Sequence, residues 1–109
     1  MDIHKLEEIG INPGDALEQM GEEAYLSQLK SFIGGYEFMR LGQAVSRGQW
    51  QTAMMILRRM EQKMNGLGLE NMKRQMPQLR KSIMSKNRAQ ARNALALLVQ
   101  KRVQLLKLF

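Results

Sequence analysis

Cysteine is absent from this chain of 109 residues, which excludes disulfides, thiol nucleophiles and cysteine-ligated zinc. Histidine occurs once, as His4, so no second imidazole is present to build a metal site or a relay. Aromatic residues make up only 6%, and the core must be assembled from Leu, Met, Ile and Ala. No apolar run approaches the ~18 residues that span a bilayer. The longest, "ALALLV" at Ala94 to Val99, is bracketed by Arg92 and Lys101. The opening "MDIHKLEEIG" is acidic and lacks the apolar stretch of a secretory signal. These absences lead us to expect a cytoplasmic protein with no membrane segment.

What is present is ordinary for one domain, and residues 1–109 are read as a single unit. Apolar residues are 44% and charged residues 25%, the balance of a globular chain. Ten methionines point to packing that adapts readily. The charge is segregated. Residues 1–46 carry three Lys or Arg against eight carboxylates, a net −5, whereas residues 47–109 carry fourteen against Glu61 and Glu70, a net +12. Such a division fits an anionic partner, whether nucleic acid, a membrane surface or an acidic protein cleft. It fits equally an internally compensated helical protein with a solvated basic face.

Nearly every segment has helical periodicity. In "NPGDALEQMG", Asn12 is read as the N-cap, Pro13 as the first helical residue and Gly21 as the stop. Glu22 to Arg47 places Tyr25, Leu29, Phe32, Tyr36 and Met39 on one stripe. Gly34 and Gly35 interrupt it, and each costs ~1 kcal/mol relative to Ala inside a helix, so a bend or a close helix approach is expected there. "SRGQW" ends that helix at Gly48. The next helix runs from about Gln49 to Asn65, with Trp50, Ala53, Leu57, Met60 and Met64 facing inward, and "NGLG" closes it. Leu69, Met72, Met76, Leu79 and Ile83 define a further helix, with a kink expected at Pro77. Asn87 caps the last helix, whose inner stripe is Ala91, Leu95, Leu98, Leu105 and Phe109. Four long amphipathic helices with short loops predict an all-α fold, an antiparallel four-helix bundle preceded by a short N-terminal helix.

The inventory for catalysis is thin. His4 lies in a segment expected to fray, and no Glu-x-x-His pair exists for a di-iron site. "GLG" and "GG" are too short for a phosphate-binding loop. The seven carboxylates between Glu7 and Glu37 show no paired spacing. No catalytic residue, metal ligand or cofactor is assigned.

The order of segments resembles that of the histidine-containing phosphotransfer domains, the helical bundles that shuttle phosphoryl groups in two-component phosphorelays. The likeness covers nearly the whole chain. "INPGDALEQMG" looks like the short entry helix of that family, and "YLSQLKSFIGGYEFM" like its long second helix. "RGQWQTAMMILRRMEQKMNGLGLENM" resembles the turn and helix that carry the active histidine. There a Gly-Asp-Trp-like turn precedes His-x-x-Lys-Gly and an exit near Leu-Gly. Gly48 to Trp50 fits the turn, and Gly66 to Leu69 fits the exit. An ungapped count between these anchors puts Arg58 at the histidine, Glu61 at the lysine and Gln62 at the glycine. Guanidinium stays protonated and offers no lone pair for attack. The resemblance thus implies a degenerate member that keeps the fold and lacks the phosphoacceptor.

At 100° per residue, Gln51, Met55, Arg58, Arg59 and Gln62 lie opposite the inward stripe of this helix. By the resemblance, this face docks the receiver domain of a response regulator or hybrid kinase, whose active site is a cluster of carboxylates. Arg58 would plug that cluster through charge-assisted hydrogen bonds, and Met55 would add adaptable apolar contact. Met55, Arg58, Arg59 and Gln62 are therefore the expected partner-binding residues. The bland alternative is a face that only solvates. Two other classes stay open: nucleic-acid binding through the basic second half, and helix-mediated self-association. No DNA-binding motif is present and the cations are not interleaved with aromatics, which argues against the former.

Overall fold

Glycine and proline set most of the helix ends in the computed structural model of the chain, which describes residues 3–109. The helices are α1 (Ile3–Glu8), α2 (Gly14–Met20), α3 (Glu22–Ile33), α4 (Glu37–Ser46), α5 (Trp50–Leu67), α6 (Glu70–Lys73), α7 (Met76–Met84) and α8 (Arg88–Leu106). No strand occurs among the described residues, and no helix among them is long and apolar enough to cross a membrane. The fold is all-helical and measures 39 × 21 × 20 Å along its principal axes.

Helix α4 packs on α5 and α8, and α7 packs on the same two, so each of these four touches two of the others. Helix α3 lies against α5 and α8, α2 lies against α3, and α6 fills the space beside α5, α7 and α8. The core between them is aliphatic. Leu29, Leu41, Leu57, Met60, Met64, Leu79 and Leu98 are fully buried, together with Leu6 of α1. At ~25 cal/mol per Å² of apolar surface removed from water, burial of this set is the main term holding the helices together.

Three expected features are corrected. The stripe through Tyr25, Leu29 and Phe32 does not continue to Tyr36 and Met39, which are 76% and 54% exposed. Gly34 and Gly35 do more than bend the helix; they end it. The N–H groups of Gly34 and Gly35 close onto Lys30 O and Phe32 O at 3.0 and 3.2 Å, and α4 restarts out of phase, burying Phe38, Leu41, Ala44 and Val45. The vacated helix end is closed from a distance. Arg102 Nε of α8 donates to Ile33 O at 2.6 Å, and its guanidinium lies 5.0 Å over the Phe38 ring.

The helix through Pro77 likewise divides instead of kinking. A turn at Arg74 and Gln75 separates α6 from α7, and Pro77 sits in the first turn of α7, where its missing N–H costs nothing. The apolar register nonetheless survives the break, with Leu69, Met72, Met76, Leu79 and Ile83 all buried. At the start of α2, Asn12 is not a side-chain cap. Pro13 occupies the capping position without a side-chain hydrogen bond, and the Asn12 backbone turns elsewhere. Smaller departures follow. His4 belongs to α1, exposed and 3.9 Å from the Glu7 carboxylate; Phe109 is exposed, Trp50 and Leu95 are half-buried, and Ala94 is buried. The Asn87 cap is present, its Oδ1 accepting from Gln90 N at 3.1 Å.

Candidate functional site

Helix α5 follows a left-handed Gly48 and ends at a left-handed Gly68. At its C-terminus Gly68 adopts φ 69°, ψ 32°. Its N–H and that of Leu69 return to Asn65 O and Met64 O at 3.4 and 3.0 Å, the paired bonds of a Schellman closure. The left-handed conformation favours glycine, and so does the surrounding space. A Cβ at position 68 would lie 1.8 Å from the Asn12 carbonyl oxygen, because Asn12 N donates to Gly68 O at 2.8 Å and the two backbones touch.

Two further contacts clamp the same junction. The Tyr25 hydroxyl donates to Leu67 O at 2.7 Å, satisfying a carbonyl that α5 itself leaves open. Burial pushes the Tyr25 phenol up to about 12, since the anion is disfavoured away from water. Asn71 N donates to Gly10 O at 3.1 Å, while the Asn71 side chain is buried with neither amide atom partnered.

Along its length α5 is tied to its neighbours by one ion pair on each flank. Lys63 pairs with Glu37 of α4, and Glu61 pairs with Arg80 of α7. These pairs bracket the outer face. Between them lie Met55, Arg58, Arg59 and Gln62, all exposed, with Met55 at 55%. Met55, Arg58 and Gln62 span about 60° around the helix axis, and Arg59 lies at the margin away from Arg58. Neither arginine forms an ion pair with a described residue. The structure thus brings together all four residues expected to bind a partner. Glu61 is placed differently. It is half-buried and turned toward Arg80, so its charge is compensated within the fold.

The arrangement limits the chemistry. Arg58 is a fork of donors with no acceptor and no lone pair for nucleophilic attack. No group of three or more His, Cys, Asp or Glu residues capable of holding a metal ion occurs among the described residues. What the face does offer is two guanidinium groups without an ion pair among the described residues, beside an exposed thioether; such groups can donate to carboxylates or phosphates.

No family model, curated protein or solved structure matches this chain.

Sequence reasoning missed the partners across helices. Glu61 and Arg80 are 19 positions apart, and Lys63 and Glu37 are 26 apart; nothing local marks either pair. Tyr25 was legible as a core residue, but its hydroxyl acceptor, 42 positions away, was not.

Proposed function

We propose that the protein is a non-catalytic signalling module of the histidine-containing phosphotransfer type. It docks the receiver domain of a two-component phosphorelay without carrying the phosphoryl group. The observation that carries this reading is the outer face of α5, where Arg58 stands unpaired and exposed between Met55 and Gln62. The mutual packing of α4, α5, α7 and α8 supports a four-helix bundle. The αL closure at Gly68 supports the alignment that puts Arg58 at the phosphoacceptor position, because it fixes the helix exit where the resemblance requires it.

The mechanism is competitive occupation. A receiver's phosphorylation site is a concave cluster of carboxylates. A guanidinium inserted there makes short bidentate hydrogen bonds that an imidazole cannot, and it has nothing to transfer. Binding would hold the receiver in a complex unable to exchange phosphate through this chain. Arg59, at the margin of the face, would add long-range attraction that speeds encounter more than it deepens affinity.

The test measures affinity against the receiver domains of the host organism, with thermal stability recorded for each variant. One or more receivers should bind the parent protein, and Arg58→Ala should weaken that complex by roughly 30-fold, the equivalent of ~2 kcal/mol for an interface-centre arginine. Arg58→Glu should weaken it further by setting like charges together. Incubation with small phosphodonors or a phosphorylated receiver should leave no acid-labile label on the chain. Receiver binding unchanged by Arg58→Glu in a folded protein would reduce this face to a solvated surface.

A further inference from the structure

A second surface, sharing no residue with the α5 face, lies between α4 and α8. A groove of about 590 Å³ runs there, lined by Met39, Gly42 and Ser46 from α4 and by Leu95, Ala96 and Val99 from α8. Gly42, Ser46 and Ala96 contribute little or no side chain to it, and Met39, Leu95 and Val99 supply its apolar surface. Leu95 approaches closely, and a Cβ at position 42 would lie 3.5 Å from its Cδ2. Arg47 and Arg92 also line the groove.

The composition of α8 makes this groove more than a dent between two cylinders. Ala91, Ala94, Leu98 and Leu105 already satisfy the inner face. Leu97, Val103 and Leu106 remain exposed at different angles around the helix. Helix α8 packs against α3, α4, α6 and α7, and these apolar side chains stand outside that packing. Along the groove, positions 92, 95, 96 and 99 repeat at spacings of three, one and three, the stripe one helix presents to another.

Charge selects the occupant. No carboxylate lines the groove. Helix α8 has none at all, and the only one on α4, Glu37, is held by Lys63. A second copy docking through the same groove by two-fold symmetry would set Arg47 and Arg92 near their own images, which is repulsive. We infer that the α4–α8 groove is a docking site for an amphipathic helix of a partner protein, with apolar residues at i, i+3/i+4 and i+7 and flanking carboxylates. The apolar stripe of that helix would fill the space above Gly42 and Ala96, in the helix-in-groove mode. Its carboxylates would pair with Arg47 and Arg92, fixing which way the helix runs.

The experiment selects binders for the intact protein from an unbiased displayed library of helical peptides about 16 residues long, enough to span the groove at 1.5 Å per residue. The enriched peptides should carry apolar residues at helical spacing with acidic flanks. Binding of one synthesised winner, read by fluorescence anisotropy, should fall at least about tenfold in Ala96→Glu, which sets a charge under the peptide's apolar stripe, and in Arg92→Glu, which opposes the peptide's own carboxylates. Both positions are exposed, so the variants should fold, checked by circular dichroism. Arg58→Glu should bind the peptide as the parent does, which keeps this site distinguishable from the α5 face. The inference is overturned by a library that enriches nothing, by winners that are neutral or basic, or by acidic winners indifferent to Ala96→Glu. It is overturned as well if Ala96→Glu instead abolishes a dimer seen by sedimentation, or binding to phosphatidylglycerol vesicles that the peptide does not displace.

Discussion

The Tyr25 hydroxyl and the Leu67 carbonyl lie 2.7 Å apart, joining the first turn of α3 to the last residue of α5. Replacing Tyr25 with Phe removes the donor and leaves a buried carbonyl without it, a loss of about 1–2 kcal/mol in denaturant unfolding. The pH profile should distinguish this from a packing defect. The folded phenol titrates near 12 against 10.0 for the free group. The folded state therefore holds its proton where the unfolded chain releases it. Stability from this group is complete below pH 10 and is lost as pH rises toward 12. Tyr25→Phe should lose that component of the alkaline decline, measured as unfolding free energy from neutral pH upward. Equal slopes in the two proteins would show that the phenol does not titrate with unfolding.

Two glycines of the α5 exit should respond in opposite directions. Gly68→Ala forces a Cβ into the Asn12 carbonyl, at a φ of +69°, and should cost about 2 kcal/mol or more. Gly66→Ala meets nothing within 4 Å, lies inside α5, and should gain about 0.5–1 kcal/mol from helix propensity. Melting temperatures of the two variants give the comparison directly. Tolerance of alanine at position 68 would mean that the Asn12 and Gly68 backbones do not touch.

Lys86 occupies the left-handed region at φ 54°, in the turn between α7 and α8. An L-residue there pays roughly 1 kcal/mol that glycine does not. Lys86→Gly should accordingly raise stability by about 0.5–1 kcal/mol, despite the flexibility it adds to the unfolded chain. A lowered melting temperature would indicate that the lysine side chain makes a compensating contact in solution.

Under the proposed function, a histidine placed at position 58 should not create phosphotransfer. Arg58→His leaves Glu61 bound to Arg80 and Gln62 in place, so neither the charge nor the open space of an active motif is rebuilt. The pair itself is partly exposed, and neutralising Glu61 as Gln should cost no more than about 1 kcal/mol. Exchanging the two charges, Glu61→Arg with Arg80→Glu, should recover part of that loss. Phosphohistidine formed on the single Arg58→His variant would mean that the neighbours matter less than their chemistry suggests.

Binding to generic duplex DNA should be weak and should vanish with added salt, because contacts through scattered surface cations are dominated by counterion release. A filter-binding or anisotropy titration at two salt concentrations reads this. Sequence-selective binding that persists at physiological ionic strength would favour a nucleic-acid function for the basic second half.

Periodicity was informative where one helix packs along one side. The buried side of α5 and its exposed opposite could be read from spacing alone, and so could the apolar register from Leu69 to Ile83. It misled where the chain changes direction at glycine. Nothing in the spacing of Tyr36 and Met39 reveals that α4 begins in a new phase, since the two glycines allow a bend or a stop equally. On α8 the expected stripe held at Ala91, Leu98 and Leu105, which are buried, and failed at Leu95, which is half-buried, and at Phe109, which is exposed beyond the helix end. The candidate site was legible as a face, but the fate of Glu61 depended on Arg80, a residue brought near only by the pairing of two helices.

The contact from Arg102 to Ile33 spans 69 positions, and it sets an order on synthesis. While the ribosome is still at work, α3 can coil but its final carbonyl has no partner, and Phe38 has no cation above it. The guanidinium that closes the last carbonyl of α3 is translated 69 positions after it. Closing so long a loop is entropically slow compared with forming any single helix. The Ile33 carbonyl and the Phe38 ring therefore gain these contacts only once α8 has been made. A nascent chain arrested before residue 102 would present that unfinished state to chaperones and proteases.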